Sequence, residues 1–308
     1  METIQGISQF KSAHSTAITI GTFDGVHIGH QQILKRLIDN SKNANLSSVL
    51  LTFFPHPRMV LQKESNIKLL NTLDEKIEIL ESLGLDYLIV SPFTKEFSRL
   101  SAVEFVRDIL VNQLKTKKVV IGYDHRFGRN RNADINDLIT YGNTLDFTVD
   151  EITAQEVDEV SVSSTKIRMA LEQADITTAN KYLGYAFMLT GIIKKGKSLG
   201  RKLAFPTANL KIAETYKLIP KNGSYVVQSK IDGKSYYGMM NIGFNPTVNG
   251  KEKSIEVHFF NFNQDIYERK IKVELLHFLR DEQKFDSIET LKKQLEKDKK
   301  NALALITN

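Results

Sequence analysis

The stretch Thr19-Ile20-Gly21-Thr22-Phe23-Asp24-Gly25-Val26-His27-Ile28-Gly29-His30 decides the fold. An apolar strand, roughly Ala17 to Gly21, runs into a glycine-bearing turn. A helix follows in which Ile33, Leu34, Leu37 and Ile38 share one face. Strand, tight turn and helix N-terminus together present unpaired backbone N–H groups to a phosphate. Gly25 and Gly29 let the main chain approach a ligand closely, and His27 and His30 bring two imidazoles to the same mouth. An imidazole donates hydrogen bonds to a polyphosphate and gains charge beside one. The segment reads as a nucleotide site with Gly21, Phe23, Asp24, Gly25 and Gly29 around it; the alternative is a pair of ordinary loop histidines.

Outward from that site, the first half alternates buried strands with amphipathic segments. Ser48 to Phe54, Asp86 to Val90 and Lys118 to Gly122 read as strands, while Asp74 to Leu83, Ser101 to Leu114 and Ala133 to Tyr141 show helical spacing. Such βα runs imply a doubly wound parallel sheet with helices on both faces, which binds ligands at the carboxyl ends of its strands. Gly21 to His30, Pro55-His56-Pro57 and Tyr123 to Gly128 each follow a strand, so three loops converge on one edge. Further on, Ser163-Ser164-Thr165-Lys166-Ile167-Arg168 offers a helix N-cap, hydroxyls and a guanidinium on one helix end. That set makes either a phosphate clamp or a plainly capped helix with a surface arginine.

The pattern changes after Tyr182-Leu183-Gly184-Tyr185, which puts a domain boundary near 184 and divides the chain into 1–184 and 185–308. Strands are expected at Phe187 to Lys194, Gly223 to Ile231, Ser235 to Gly243, Ser254 to Asn261 and Lys270 to Leu279, with a hairpin turn at Asp232-Gly233. A closing helix from about Ser287 to Asp298 starts on a capping-box-like segment that lacks the acid, so its cap is expected to be imperfect. This is the pattern of a compact antiparallel barrel. Within it Gly196-Lys197-Ser198-Leu199-Gly200-Arg201 can cradle phosphates through main-chain N–H groups. Thr207 and Asn209, two residues apart on an extended segment, face the same side and present oxygens suited to Mg²⁺ carried on a nucleotide. Either piece alone also reads as an ordinary strand entry. Glu256 alternates with Ile255 and Val257, so a carboxylate in a largely apolar strand is expected to be desolvated and disposed to accept a proton; an exposed edge glutamate is the alternative.

Composition narrows the field. The 308 residues are 41% hydrophobic and 25% charged, as in globular proteins with two domains. With no cysteine, disulfides and thiolate metal sites are excluded and a reducing, cytoplasmic location is the expectation. Met1 to Phe10 lacks a signal-peptide pattern, and no apolar run approaches the roughly 20 residues of a membrane span. A net charge of +6 suits anionic small substrates better than nucleic acid, and the lysines of Lys292 to Lys300 alternate with Glu296 and Asp298 as on a solvated helix face. Neither a nucleic-acid nor a membrane partner is expected, and the oligomeric state is left open.

His27-Ile28-Gly29-His30 spells the HIGH signature of a nucleotidyl-transferring fold. Together with T-F-x-P-H-P at 52–57, G-x-D-x-R-F-G at 122–128, S-S-T-x-I-R at 163–168, G-R-x-x-x-F-P-T-A-N-L at 200–210, N-I-G-x-x-P-T at 241–247 and E-x-H-x-F at 256–260, the chain resembles the bifunctional bacterial riboflavin kinase/FAD synthetase family over nearly its whole length. The resemblance implies a nucleotidyltransferase-like FMN adenylyltransferase module followed by a riboflavin kinase barrel. Riboflavin and ATP would give FMN and ADP, and FMN and ATP would then give FAD and pyrophosphate. It also implies that Thr207 and Asn209 bind Mg²⁺·ATP and that Glu256 deprotonates the terminal ribityl hydroxyl. His27, His30, Ser163, Ser164, Thr165 and Arg168 would hold the second ATP, and Phe54, His56, Asp124, Arg126, Phe127 and Asn241 would lie about the flavin. The departures fall mainly in the first module: Phe54 for a usual Asp, His125 for a usual Phe, and Asn132-Ala133 for a glycine-rich continuation. In the second, Ala204 and Glu268 replace glycines. A kinase whose first domain has lost transfer is the alternative reading. A class I aminoacyl-tRNA synthetase, lacking K-M-S-K-S here, and a flavin-responsive RNA-binding regulator, lacking a basic-aromatic stripe, fit less well.

Overall fold

A computed structural model describes residues 1–62, 66–123, 125–153, 162–195, 205–247 and 250–306. The chain forms two compact units, Met1–Ser164 and Thr165–Asn308.

In the first unit six strands, β1 (Glu2–Gln5), β2 (Thr16–Ile20), β3 (Ser47–Phe53), β4 (Tyr87–Ser91), β5 (Thr116–Gly122) and β6 (Thr148–Ile152), lie in the order β1-β4-β3-β2-β5-β6. Every pairing is parallel. Alternate residues feed two cores, as strand geometry requires. Ile18, Val49, Leu51, Ile89, Val119 and Ile121 pack on one face, and Ala17, Leu50, Leu88, Val90 and Val120 on the other. The expected doubly wound sheet is therefore present, with two strands the sequence did not announce. β1 and β6 are both edges: β1 has only four residues, and β6 carries Asp150 and Glu151, so neither shows the continuous apolar run of an inner strand.

Helix α1 (Ile28–Asn43) buries Leu34, Leu37 and Ile38. The short α2 (Pro57–Leu61) follows β3, and α3 (Leu73–Ser82) starts on a complete capping box from Thr72 and Glu75. The helix expected from Ser101 to Leu114 begins as α4 (Ala102–Glu104) and continues as a π-helical stretch, Phe105–Gln113, so that Leu114 N–H reaches the Ile109 carbonyl. α5 (Ile135–Leu145) leads into β6.

The second unit opens with α6, the end of Ser164–Glu172 that lies beyond Ser164, and α7 (Ile176–Leu183). A closed barrel follows, built from β7 (Met188–Lys194), β8 (Ala208–Lys211), β9 (Gly223–Ile231), β10 (Lys234–Thr247), β11 (Gly250–Phe259) and β12 (Lys270–Asp281) in the order β10-β11-β8-β7-β12-β9. All its pairings are antiparallel. At the expected hairpin Asp232 and Gly233 both have positive φ, 50° and 78°, which is what a two-residue turn between twisted strands needs. Gly191 has no substitute: a Cβ there would sit 2.5 Å from the Lys211 carbonyl oxygen of β8.

Helix α8 (Ile288–Ile306) runs well past Asp298 and covers Phe205, Val226, Met239 and Phe260 on the outside of the barrel. Its cap is reciprocal rather than imperfect. Thr290 N–H donates to Ser287 Oγ (3.1 Å) and Ser287 N–H to Thr290 Oγ1 (3.3 Å), the threonine hydroxyl doing what a glutamate would. Arg280 of β12 pins the helix through Asp298 (2.8 Å), which is only 3% exposed.

The compact units divide before the boundary expected near 184, because α6 and α7 belong to the barrel. Lys221 N–H donates to the Leu171 carbonyl. Asn180 Nδ2 donates to the Leu275 carbonyl while Asn180 Oδ1 accepts from Phe187 N–H, both at 2.8 Å. Phe187 and Leu275 are fully buried, so Asn180→Ala would leave two dry backbone groups without partners. Calorimetry of the full chain is expected to show the second unit destabilised by about 2–4 kcal/mol with the first unit's transition unmoved.

Candidate functional site

β2 lies between β3 and β5, and the order of the sheet reverses there: β3 and β4 extend to one side, β5 and β6 to the other. The loops Gly21–His27, Phe54–His56 and Tyr123–Phe127 therefore leave the carboxyl ends of three adjacent parallel strands, where such sheets bind ligands. The first is tightly wound, with Phe23, Gly25 and Val26 at φ of 45°, 86° and 34°. His27 caps α1, its Nδ1 accepting from His30 N–H at 3.4 Å, which leaves its own proton on Nε2. The rings of His27 and His30 stack at 3.7 Å, and the Phe23 ring lies 4.6 Å beyond His30, completing a three-ring column. Gly21 makes room for it, since a Cβ there would come within 2.9 Å of the Phe23 ring. The N–H groups of Ile28 and Gly29, in the first turn of α1, donate to no group among the described residues.

Burial pushes His27 down to about 4, against a smaller opposing contribution from a backbone hydrogen bond. His30 lies well below the ordinary histidine range through burial first, then the His27 and Lys76 charges. Both imidazoles are thus neutral at pH 7, and the Nδ1 of His30 is shut off from solvent with no hydrogen-bond partner among the described residues. Asp24 is 3% exposed and its Oδ1 accepts from Leu70 N–H at 2.9 Å, so it fastens the loop from behind. Ser164 Oγ donates to the Asp24 carbonyl oxygen at 2.9 Å, which ties the end of the first unit to the same loop. Thr165 and Arg168 follow on α6 within the second unit, and Ser163 immediately precedes the helix. Of the residues expected about the flavin, Phe54 packs against the β-sheet core and Phe127 is buried in the opposite core. His56 Nδ1 caps α2 by accepting from Arg58 N–H at 3.1 Å, and Arg126 is exposed, 3.9 Å from Asp134. Asp124 lies outside the described residues, as do Gly196, Lys197, Gly200 and Arg201.

In the barrel, β11 lies between β8 and β10, and Glu256 is the register partner of Asn209 on one side and Asn241 on the other. Thr207 Oγ1 donates to Glu256 Oε2 at 3.1 Å. The pair Thr207 and Asn209 and the separately chosen Glu256 thus form one half-buried oxygen-rich group. Ile255, Val257 and Phe259 are buried on the other face of the strand, as the alternation requires. His258, two residues along, hydrogen-bonds the Pro206 carbonyl through Nδ1 (2.9 Å), so it fixes the segment that carries Thr207. The donor set fits a hard cation that prefers oxygen. No group of three His, Cys, Asp or Glu able to hold a metal occurs among the described residues. The row continues to Ser224, which the sequence gave no reason to single out: it is the partner of Asn241, and its Oγ donates to Asn241 Oδ1 at 3.4 Å.

Two family models match, and residues 167–182, which hold most of α6 and α7, lie in neither. A family model described as FAD synthetase matches residues 9–166, and one described as riboflavin kinase matches residues 183–306. The chain is 39% identical to a bifunctional riboflavin kinase/FMN adenylyltransferase of Buchnera aphidicola from Schizaphis graminum, covering 97% of this chain and 96% of that protein. It is 37% identical to the protein of the same description from Listeria monocytogenes, over 93% and 91% of the two chains. The crystal structure of a Streptococcus pneumoniae protein described as a macrolide-efflux protein is similar with a TM-score of 0.88 at 30% identity, covering 97% of either chain. Among the described residues of the present chain no helix is long and apolar enough to cross a membrane.

The lowered histidines give the first unit a pH signature. Folded values below the ordinary 6.5 mean that the unfolded chain binds more protons between about 4 and 6.5. Stability is complete above that window and falls as the pH drops through it, by about 3 kcal/mol for His27 alone. Denaturant midpoints measured from pH 7 to 4.5 check this, and the double substitution His27→Gln/His30→Gln is expected to flatten the slope.

Proposed function

This chain belongs to the bifunctional riboflavin kinase/FMN adenylyltransferase family, and from that premise we propose how its residues divide the two reactions. The activity is ATP-dependent phosphorylation of riboflavin to FMN, followed by adenylylation of FMN to FAD with release of pyrophosphate. A kinase-only chain is not favoured, since the FAD synthetase model matches 9–166 and the first unit keeps its strand-turn-helix site.

In the kinase step Glu256 takes the proton of the terminal ribityl hydroxyl as that oxygen attacks the γ-phosphorus of ATP and ADP leaves. Such a base contributes typically 10²–10⁴-fold. The observation that carries this reading is the hydrogen bond from Thr207 to Glu256 with Asn209 beside it across the strand pair. It brings a base and two oxygen ligands to one place. Thr207 and Asn209 would hold Mg²⁺, which when bound to ATP neutralises phosphate charge. Gly196, Lys197, Gly200 and Arg201 are assigned to the ATP phosphates, and Asn241 to the flavin.

In the transfer step a phosphate oxygen of FMN attacks the α-phosphorus of a second ATP. The nucleophile is already an anion, so positioning and charge stabilisation matter more than a base. His27 and His30 donate as neutral imidazoles, the N–H groups at the start of α1 meet the phosphates, and Ser163, Ser164, Thr165 and Arg168 are assigned to the same ATP. Riboflavin, FMN, FAD, ATP, ADP and pyrophosphate are the partners this assignment requires, and the cytoplasm, where ATP is supplied, is the location it fits.

Separate sites imply separable losses. Glu256→Gln is expected to cut FMN formation at least 10²-fold while conversion of added FMN to FAD continues, and His30→Ala is expected to do the reverse. Both rates are read on the same purified chain, and an equal loss of both activities in either variant would refute the assignment.

A further inference from the structure

α3 (Leu73–Ser82) supplies a cation that neither reaction described above uses. Lys76 is only 7% exposed, and its ammonium donates to the Thr22 carbonyl oxygen at 2.7 Å. Thr52, wholly buried on β3, donates its Oγ1 to the same oxygen at 3.2 Å. Two donors from two different elements thus converge on one carbonyl, in the turn between β2 and the histidines. Asp24 is the anion in electrostatic reach of Lys76, and His30 feels the Lys76 charge. A buried lysine is costly to desolvate, and its own proton affinity is lowered by burial and partly restored by Asp24. A site that retains such a group for one carbonyl bond has a use for the orientation of that bond.

The orientation matters because a trans peptide is planar, with C=O and the following N–H pointing in opposite directions. The only cis peptide bond among the described residues is Phe54–Pro55. With the Thr22 carbonyl turned towards Thr52 of β3, the Phe23 N–H is turned away from β3. The Phe23 N–H donates to no group among the described residues although Phe23 is 4% exposed. Phe23 also carries the ring that backs His30.

We propose that Lys76 is a positioning residue for adenylyl transfer, acting through the Thr22–Phe23 peptide, whose plane it fixes so that the turn presents its N–H and the Phe23–His30–His27 column to the reacting α-phosphoryl group. The proposal rests on the assignment of transfer to the Gly21–His30 turn. In that step the bond from an FMN phosphate oxygen to the α-phosphorus forms as the bond to the β-phosphate oxygen breaks, and the electrons leave with pyrophosphate. Lys76 touches none of these atoms. Its effect falls on the geometry met by the transition state and therefore on kcat.

Lys76→Met keeps the length of the stem and removes the donor. FAD formation from FMN and ATP is expected to lose 10- to 100-fold in kcat with the KM for ATP changed less than about threefold, while FMN formation by the same protein stays at its original rate. Thr52→Val, which removes the longer bond to the same carbonyl, is expected to show a smaller loss in the same direction, and it carries the test if the Lys76 variant does not fold. A second readout uses ATP with one non-bridging α-oxygen replaced by sulfur. The wild-type chain is expected to discriminate between the two diastereomers, and the variants to discriminate less, which a loss of stability alone would not produce. Wild-type kcat in either folded variant, or a loss confined to KM, overturns the role of Lys76. If His30→Ala also leaves FAD formation intact, the assignment of the turn itself has failed instead.

Discussion

Parallel hydrogen bonding of β2 to β3 on one flank and β5 on the other is the constraint on which the first unit depends. Gly21 N–H still bonds the Leu51 carbonyl beyond the last strand residue, so the chain leaves the sheet in register before it turns. Because the strands point the same way, loops far apart in sequence emerge on one edge. The order reverses at β2, which is where sheets of this kind bind ligands.

In the assignment proposed above, the two units would meet phosphate by different physical routes. In the first, the imidazoles are neutral and stacked, His27 buried and His30 half-buried, and the buried Asp24 and Lys76 stand behind the turn. Hydrogen-bond donors held in a water-poor site need little reorganisation when charge develops in front of them. In the barrel the group is a half-buried carboxylate flanked by a hydroxyl and an amide, an arrangement suited to accepting a proton from a neutral alcohol. The attacking groups differ correspondingly, one an anion and the other a hydroxyl.

Much of this was legible in the residues. Buried strands of an inner parallel sheet read as apolar runs, and Asp232-Gly233 named its own turn. Thr207, Asn209 and Glu256 stood out as chemically apt residues on extended segments. Edge strands were not legible: β1 is too short and β6 too acidic to show the apolar run that burial on both faces demands. The cap of α8 was misjudged because a threonine hydroxyl can replace a glutamate only if its rotamer reaches back, which spacing does not reveal. Lys76 was hidden for a related reason. In Leu73-Asp74-Glu75-Lys76 the polar residues look like a solvated face, yet Glu75 is consumed by the capping box and Lys76 turns inward to a carbonyl.

What the sequence determined by itself was local: the inner strands and the amphipathic helices, the hairpin turn at Asp232-Gly233, and which side chains have phosphate or proton chemistry. Periodicity and residue type act within a few positions, so they suffice for that. The tertiary structure alone decided that Glu256 lies beside Asn209 and Asn241, that α6 and α7 pack with the barrel rather than ending the first unit, and that burial holds both histidines neutral. Register between strands remote in sequence and exclusion of water by distant side chains are properties of the packed chain, and no residue carries them alone.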